Sequence, residues 1–302
     1  MRLVVSGASG FIGSALCSQL LHRGHTLSLL SRAAPRGVNT GMKHWYQWRP
    51  GLVGDWESAL DGADGVINLA GEPIANKRWS PRQKRRLRLS RIDTTVGLVR
   101  AMAKAKQKPK FFLNASAVGY YGPRGEEPIG EEVEAGTDFL AQLCREWEAE
   151  AKKAEKLGVR VICLRTGIAL GPGGGALAKM IPPFKFFVGG PLGTGKQWMS
   201  WIHLDDLVGL ILHLIENNRA GGPVNATAPN PVTMKEFCRT LGQVMHRPSW
   251  LPVPSFALRL LLGEMAQILL TGQKVVPTTA QKLGYQFRYP NLPEALRACL
   301  PR

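Results

Sequence analysis

Gly7-Ala8-Ser9-Gly10-Phe11-Ile12-Gly13 follows the apolar run Arg2-Leu3-Val4-Val5-Ser6 and opens the segment Phe11–Arg23, whose apolar residues recur at helical spacing until Gly24. A buried strand, a glycine turn and a helix are the parts of a dinucleotide site. Gly7 permits the tight turn, and Gly10, without a Cβ, lets a pyrophosphate approach the backbone. Gly13 lets the helix pack close to the strand, while the free N–H groups of its first turn face the phosphates. The spacing is G-x-x-G-x-x-G rather than the commoner G-x-G-x-x-G. Glycine turns follow strands in many folds, so the position of this one, at the end of the first strand, carries the reading.

The second strand is expected at Thr26-Leu27-Ser28-Leu29-Leu30 and ends in Ser31-Arg32. At this point an NAD site carries an Asp or Glu for the ribose 2′-hydroxyl. A hydroxyl and a guanidinium, with Arg36 following, instead suit a 2′-phosphate, so NADP(H) is the expected cofactor. Further strands are expected within Lys43–Trp48 and at Gly65–Leu69, Phe111–Asn114 and Arg160–Leu164. They alternate with a short helix Asp55–Leu60 and long helices Ser80–Lys106 and Asp138–Leu157. Strands alternating with helices predict an α/β fold, a Rossmann-type doubly wound parallel sheet. From Gly171 the pattern becomes rich in loops and prolines. A strand at Gln197–His203, a helix Asp206–Glu216 capped by Asp205 and Asp206, a short strand Val224–Ala226 and a capping box at Thr233-x-x-Glu236 suggest a smaller C-terminal α/β lobe. Residues 1–170 are expected to form the NADP-binding domain and 171–302 the lobe of the substrate cleft, the two interleaving.

Composition bounds the rest. With 302 residues, 44% hydrophobic and 20% charged, a full core is expected and disorder is not. No apolar run approaches the ~20 residues of a membrane span, and no basic leader precedes a cleavage site, so neither a membrane nor secretion is expected. Five cysteines without metal spacing (Cys17, Cys144, Cys163, Cys238, Cys299) read as reduced thiols of a cytoplasmic protein, with no metal site. The net charge of +17 attracts polyanions. Eight cations crowd Lys77–Arg91, as a solvated helix face, as phosphate contacts or as a nucleic-acid patch. No nucleic-acid-binding signature accompanies them, so nucleic acid is not an expected partner.

Several stretches together resemble the extended short-chain dehydrogenase/reductases, the sugar-nucleotide epimerases and dehydratases. They are the glycine turn, Asn68-Leu69-Ala70-Gly71, Ala115-Ser116-Ala117-Val118-Gly119-Tyr120-Tyr121-Gly122 and Trp201-Ile202-His203-Leu204-Asp205-Asp206. Asn68–Ile74 with Arg78-Trp79, Ser90-Arg91-Ile92, Trp147-Glu148 and Gly189–Gln197 are similar, more closely, to a group called epimerase family proteins, some bacterial members of which are labelled cell-division inhibitors. The resemblance covers essentially the whole chain. It implies that Gly7, Gly10, Phe11, Ile12 and Gly13 hold the pyrophosphate and that Ser31 and Arg32 hold the 2′-phosphate. It further implies that Leu69, Ala70 and Gly71 border the adenosine and pyrophosphate, with Arg91 and Arg86 adding cations beside the nucleotide. It implies dimerisation through the two long helices, hence a possible homodimer.

The family's Tyr-x-x-x-Lys dyad does not carry over. The tyrosines are Tyr46, Tyr120, Tyr121, Tyr285 and Tyr289, and the residues four further on are Pro50, Arg124, Gly125, Tyr289 and Pro293. The expected helix holds Phe139 or Leu140, then Leu143 or Cys144, and the usual Ser/Thr falls on Ala117. The replacement candidates are Ser116, to hold a carbonyl oxygen, and Tyr121, to donate a proton if a nearby cation lowers its pKa. Glu72 and His203 lie toward the same edge. Two classes remain: an NADPH-dependent oxidoreductase or isomerase with a non-standard donor acting on a small carbonyl or sugar-like substrate, and a catalytically silent NADPH-binding sensor or partner-recruiting protein.

Overall fold

Leu3 and Val5 of the first strand bury toward one face and Val4 toward the other, so the strand needs cover on both sides. The computed structural model, which describes residues 1–33 and 42–300, supplies that cover. Its strands in chain order are β1 (Arg2–Ser6), β2 (Thr26–Ser31), β3 (Met42–Gln47), β4 (Gly65–Asn68), β5 (Phe111–Ala117) and β6 (Arg160–Thr166). They continue as β7 (Ile168–Leu170), β8 (Trp198–Met199), β9 (Trp201–His203), β10 (Gly222–Ala226) and β11 (Val232–Thr233). Seven of them form one parallel sheet in the order β10-β6-β5-β4-β1-β2-β3. The order turns back beside β1, between β1 and β4, which is where doubly wound sheets bind ligands.

Helices α1 (Phe11–His22), α2 (Pro81–Lys104), α3 (Phe139–Lys152), α4 (Leu177–Lys185), α5 (Leu204–Glu216), α6 (Met234–Met245) and α7 (Ser255–Leu262) flank the strands. Leu16 and Leu20 of α1 and Leu207, Ile211 and Leu214 of α5 seal the Leu3/Val5 face. Leu98 and Met102 of α2, with Trp56 and Leu60 of the short 3₁₀ helix Asp55–Leu60, seal the Val4 face. The ends of α2 and α3 follow their cap chemistry. Ser80 Oγ accepts from Gln83 N at 3.2 Å ahead of Pro81, and Asp138 Oδ1 accepts from Ala141 N at 2.8 Å.

Two expectations are corrected and one is refined. Gln197–His203 is not one strand: β8 pairs with β11, β9 pairs with β7, and Ser200 between them bonds instead to Gln273 O and Val275 N. The strand at Val224–Ala226, read as part of the C-terminal lobe, is β10 at the edge of the main sheet beside β6, an instance of the interleaving expected of the two halves. The cap of α5 is neither Asp205 nor Asp206 but His203, whose Nδ1 accepts from Asp205 N at 3.1 Å.

Asp206 is buried and has a different task. Its carboxylate accepts from Arg288 N at 2.7 Å and Tyr289 N at 2.8 Å, and Tyr285 Oη donates to its carbonyl at 2.9 Å. Gly209, one turn on, leaves room for that phenol, since a Cβ there would lie 2.5 Å from Tyr285 Oη. The charged acceptor thus ties residues 285–289 to the start of α5. Asp206→Ala is expected to lower stability by about 3 kcal/mol, the worth of charge-assisted bonds left unmade. Urea unfolding checks this; an unchanged midpoint would show that the tie carries no stability.

Candidate functional site

The glycine turn is built by exclusion. Gly7 has φ +77°, and a Cβ on it would lie 2.6 Å from the carbonyl carbon of Leu69, so the loops after β1 and β4 touch only because no side chain intervenes. A Cβ on Gly13 would lie 2.1 Å from Gly7 O, which holds α1 close against the turn. Gly10 N donates to Gly7 O at 3.0 Å, and Gly10 itself is exposed and caps α1 without a side chain. The first-turn N–H groups therefore face outward at the carboxyl edge of the sheet, a cradle for a diphosphate. The ring of Phe11 is wrapped by the loop after β7: Cβ atoms on Gly171, Gly174 and Gly175 would meet it at 3.0, 2.5 and 2.9 Å.

At the end of β2, Ser31 Oγ donates to Ala33 O and accepts from Trp45 Nε1 at 2.8 Å, which leaves Arg32 exposed beside a hydroxyl already committed to its own loop. Arg36 lies outside the described residues. On the other side of the turn Arg91 lies beneath Ala70-Gly71. Its Nη2 donates to Glu72 O at 3.1 Å, its Nη1 to Leu87 O at 3.1 Å, and its guanidinium lies 5.2 Å from the Trp147 ring centroid. A Cβ on Gly71 would be 3.2 Å from Arg91 Cζ, so Ala70-Gly71 runs directly over this cation. Burial pulls the Arg91 pKa below the usual guanidinium range, opposed by Cys144 and Glu72. Arg86 is half exposed, with its Nη2 3.6 Å from Glu72 Oε1. Leu69, Ala70, Gly71, Arg86 and Arg91 are thus gathered at one edge with Gly7–Gly13, and Ser31-Arg32 follows at the end of the adjacent strand.

Two buried polar networks lie beneath that edge. In the first, Ser6 Oγ donates to Asn68 Oδ1 at 2.6 Å, and Asn68 Nδ2 donates to Asn114 Oδ1 at 2.7 Å. Thr95 Oγ1 accepts from Asn68 and from Trp147 Nε1, joining α2 and α3 to the strand ends. The register explains it: Ser6 pairs with Asn68 and Asn68 with Asn114 across three neighbouring strands. A polar residue following an apolar run in each of three strands was the sequence signal for this cluster.

The second network holds both candidate donors, Ser116 and Tyr121. β5 runs on through Ala117, so Ser116 lies within the strand and not beyond it. Ser116 shares the inward face of Asn114, two residues back, and its Oγ donates to Glu148 Oε1 at 2.7 Å. Glu148 also accepts both arms of Arg165, at 2.8 and 2.9 Å. Arg165 Nη1 donates to Tyr121 Oη at 2.9 Å, and that hydroxyl donates to Asn225 Oδ1 at 2.7 Å. Tyr121 is fully buried, and burial pushes its phenol up to about 12 although Arg165 beside it acts the other way. A cation, Arg165, stands beside the phenol, and desolvation outweighs it. Ser116 and Tyr121 are therefore spent on tying β5, β6, α3 and β10 together. The partly exposed tyrosine of this loop is Tyr120, whose ring centroid lies 3.4 Å from Arg165 Cζ.

Where the family's dyad would stand, α3 presents hydrocarbon. Phe139 and Leu140 pack with Trp79, Leu87, Leu143 and Met265, and Cys144 is buried with its thiol pushed up to about 12. The segment carrying Met265 closes over this floor: Arg78 Nη2 donates to Leu260 O at 3.4 Å, and Lys84 pairs with Glu264. A cavity of about 210 Å³ lined by Thr26, Ser28, His44 and Tyr46 opens at the opposite edge of the sheet, away from the glycine turn. Among the described residues no group of His, Cys, Asp and Glu is placed to hold a metal ion.

Residues 3–227 match the model of the NAD dependent epimerase/dehydratase family. The chain belongs to that family. Residues 253–299 match a domain of unknown function. Among family relatives, the chloroplastic epimerase family protein SDR39U1 homolog of Arabidopsis thaliana is 45% identical over 99% of this chain and 87% of its own. Epimerase family protein YfhF of Bacillus subtilis is 40% identical over 98% and 97%. The crystal structure of human epimerase family protein SDR39U1 with NADPH superposes with a TM-score of 0.88 at 35% identity, covering 99% of both chains. UDP-glucuronic acid 4-epimerase of Bacillus cereus shares the fold alone, with a TM-score of 0.79 at 18% identity over 99% and 97%.

Two substitutions separate cofactor contacts from structural ones. Arg32→Asp is expected to weaken NADPH binding by about tenfold to a hundredfold and to leave NADH little changed, the loss of one or two charge-assisted bonds; isothermal titration with both nucleotides reads it. Tyr121→Phe leaves Asn225 and Arg165 each short of a partner. It is expected to lower stability by about 1–3 kcal/mol in urea unfolding with NADPH affinity intact, whereas a loss of affinity at unchanged stability would return Tyr121 to the cofactor site.

Proposed function

We propose that this chain binds NADP(H) and does not carry out the epimerase and dehydratase chemistry of its sugar-nucleotide relatives: it is an NADPH-binding protein in which the dinucleotide is held and sensed. The observation that carries this reading is the hydrocarbon floor of Phe139, Leu140 and Leu143 at the place of the proton relay, combined with the burial of Ser116 and Tyr121 in the Arg165–Glu148 network. The fit of the cofactor rests on the cradle itself. Gly7 and Gly13 exclude side chains, Gly10 leaves the first turn of α1 open, Arg91 supports Ala70-Gly71 from below, and exposed Arg32 at the end of β2 suits a 2′-phosphate. The human relative crystallised with NADPH supports the same choice.

Bound NADPH supplies a hydride, and hydride transfer to a carbonyl needs a proton as well. No side chain on the first turn of α3 holds one: Phe139, Leu140 and Leu143 exclude water and contribute no polar atom. The Arg165 guanidinium donates to the Glu148 carboxylate within the interior, away from the cleft. NADPH is expected to bind at micromolar concentration, read by the quenching of tryptophan fluorescence. A panel of sugar nucleotides and small carbonyl compounds is expected to give no protein-dependent loss of absorbance at the nicotinamide band. Turnover abolished by Tyr120→Phe would replace this reading with a reductase whose donor is the partly exposed Tyr120; turnover that survives it would place the donor elsewhere, and either result ends the silent reading.

A further inference from the structure

The C-terminal lobe exposes large apolar side chains where a protein of this size would bury them. Phe186 is 76% exposed, and its neighbours Phe187 and Val188 are exposed as well. Trp250 is 64% exposed, Phe256 74% and Leu260 79%, with Leu251 and Leu261 beside them. These two stretches are one surface. Trp250 Nε1 donates to Phe187 O at 3.0 Å, Trp250 N donates to Gly189 O at 3.1 Å, and Leu192 bridges to Val253 just before α7 begins. On α7 the exposed Phe256 and Leu260 are four residues apart and share a face, while Leu258 is the buried member of the helix. Phe187 holds φ +61°, a left-handed backbone that a bulky residue rarely adopts, in a turn closed by Phe187 N to Phe184 O and Val188 N to Pro183 O. The turn pushes two phenylalanine rings outward.

The charge around this surface is predominantly positive: Lys235 and Arg239 lie beside Trp250 together with one carboxylate, Glu236. No Asp or Glu occurs from residue 156 to 204 or from 237 to 263, the stretches that contain every residue of the patch. Lys185, Arg247 and Arg259 are exposed within it, and the Arg247 guanidinium lies 4.6 Å from the Phe187 ring centroid. A second copy of the chain would bring these cations face to face. Side chains exposed by two-thirds or more stand out as knobs without walls, and a rigid partner would need a matching hole for each. A fluid, anionic surface accepts them without one. Aromatic and aliphatic knobs flanked by Lys and Arg are the composition that settles at the headgroup level of a bilayer.

We propose that this face docks on the surface of an anionic phospholipid bilayer, with Phe186, Phe187, Trp250, Phe256 and Leu260 entering the headgroup region and Lys185, Arg247 and Arg259 pairing with lipid phosphates. No helix among the described residues is long and apolar enough to cross a membrane, so the contact is interfacial. It departs from the expectation of no membrane partner drawn from the absence of a spanning segment, because an interfacial patch is assembled from separate stretches of chain.

The test is sedimentation of the full chain with vesicles of phosphatidylcholine alone and with vesicles carrying about 30% phosphatidylglycerol. The wild type is expected to bind the anionic vesicles at least about tenfold more tightly. The combined variant Phe186→Ser, Phe256→Ser, Leu260→Ser keeps every charge and is expected to lose about tenfold or more of that affinity. Its thermal midpoint and NADPH affinity are expected to stay at wild-type values, which separates a lost surface from a lost fold. Brominated lipid is expected to quench the wild type more than Trp250→Phe. Equal binding to both vesicles overturns the proposal. So does an unaltered affinity of the serine variant, which would leave net charge as the whole attraction. Light scattering that shows a dimer abolished by the same three substitutions would assign the patch to a second copy.

Discussion

The close approach of two loops, after β1 and after β4, is the constraint on which the rest of this molecule depends. Leu69 passes so near Gly7 that a Cβ would sit inside its carbonyl, and α1 passes so near that a Cβ on Gly13 would sit inside Gly7 O. With side chains removed at these points, the backbone itself becomes the lining of the site. The N–H groups at the start of α1 are then offered there, and they are positive in sense. Everything else at this edge keeps that geometry. The Ser6–Asn68–Asn114 chain fixes the three strand ends, Thr95 and Trp147 attach the two long helices to them, and Phe11 anchors the glycine loop of the second half.

The Arg165–Glu148 pair has a comparable role on the neighbouring strand. Burying both ions costs solvation, and breaking the pair from one side leaves the other charge stranded. Here further partners complete the pair: Ser116 donates to Glu148, and Tyr121 and the carbonyl of Glu131 accept from Arg165. Glu131 in turn accepts from the backbone N–H groups of Asn225 and Thr279. A core charge network that is fully bonded gives a well-defined structure, and it is a poor place to find a mobile proton.

This distribution of polarity sets the chemistry. The family's relay needs a phenol and an ammonium facing the cleft on α3, and this chain has put its hydroxyls and charges below the sheet edge and hydrocarbon at its rim. The C-terminal stretch from Leu258 to Met265 completes that rim through Trp79 and Lys84. The same stretch continues, on the outer side of α7, into the exposed apolar face. One short segment therefore shields the cofactor edge from within and presents Phe256 and Leu260 outward.

The sequence by itself determined the parallel α/β architecture, the glycine cradle and the starts of the two long helices at Ser80 and Asp138, because each rests on contacts within a few residues or on strand-length apolar runs. It also determined that no Tyr-x-x-x-Lys dyad exists, which is a matter of spacing alone. Only the tertiary structure decided where Ser116 and Tyr121 point, since two further residues of β5 turn a loop hydroxyl into a buried one. It alone decided that His203 and not Asp206 caps α5, that Asp206 holds residues 285–289, and that β10 joins a sheet begun two hundred residues earlier. Those outcomes depend on partners distant in sequence. Glu148 meets Arg165, and Asn225 meets Tyr121, only after the strands have been ordered. Local spacing carries no information on such meetings, because burial and charge pairing are properties of the packed chain.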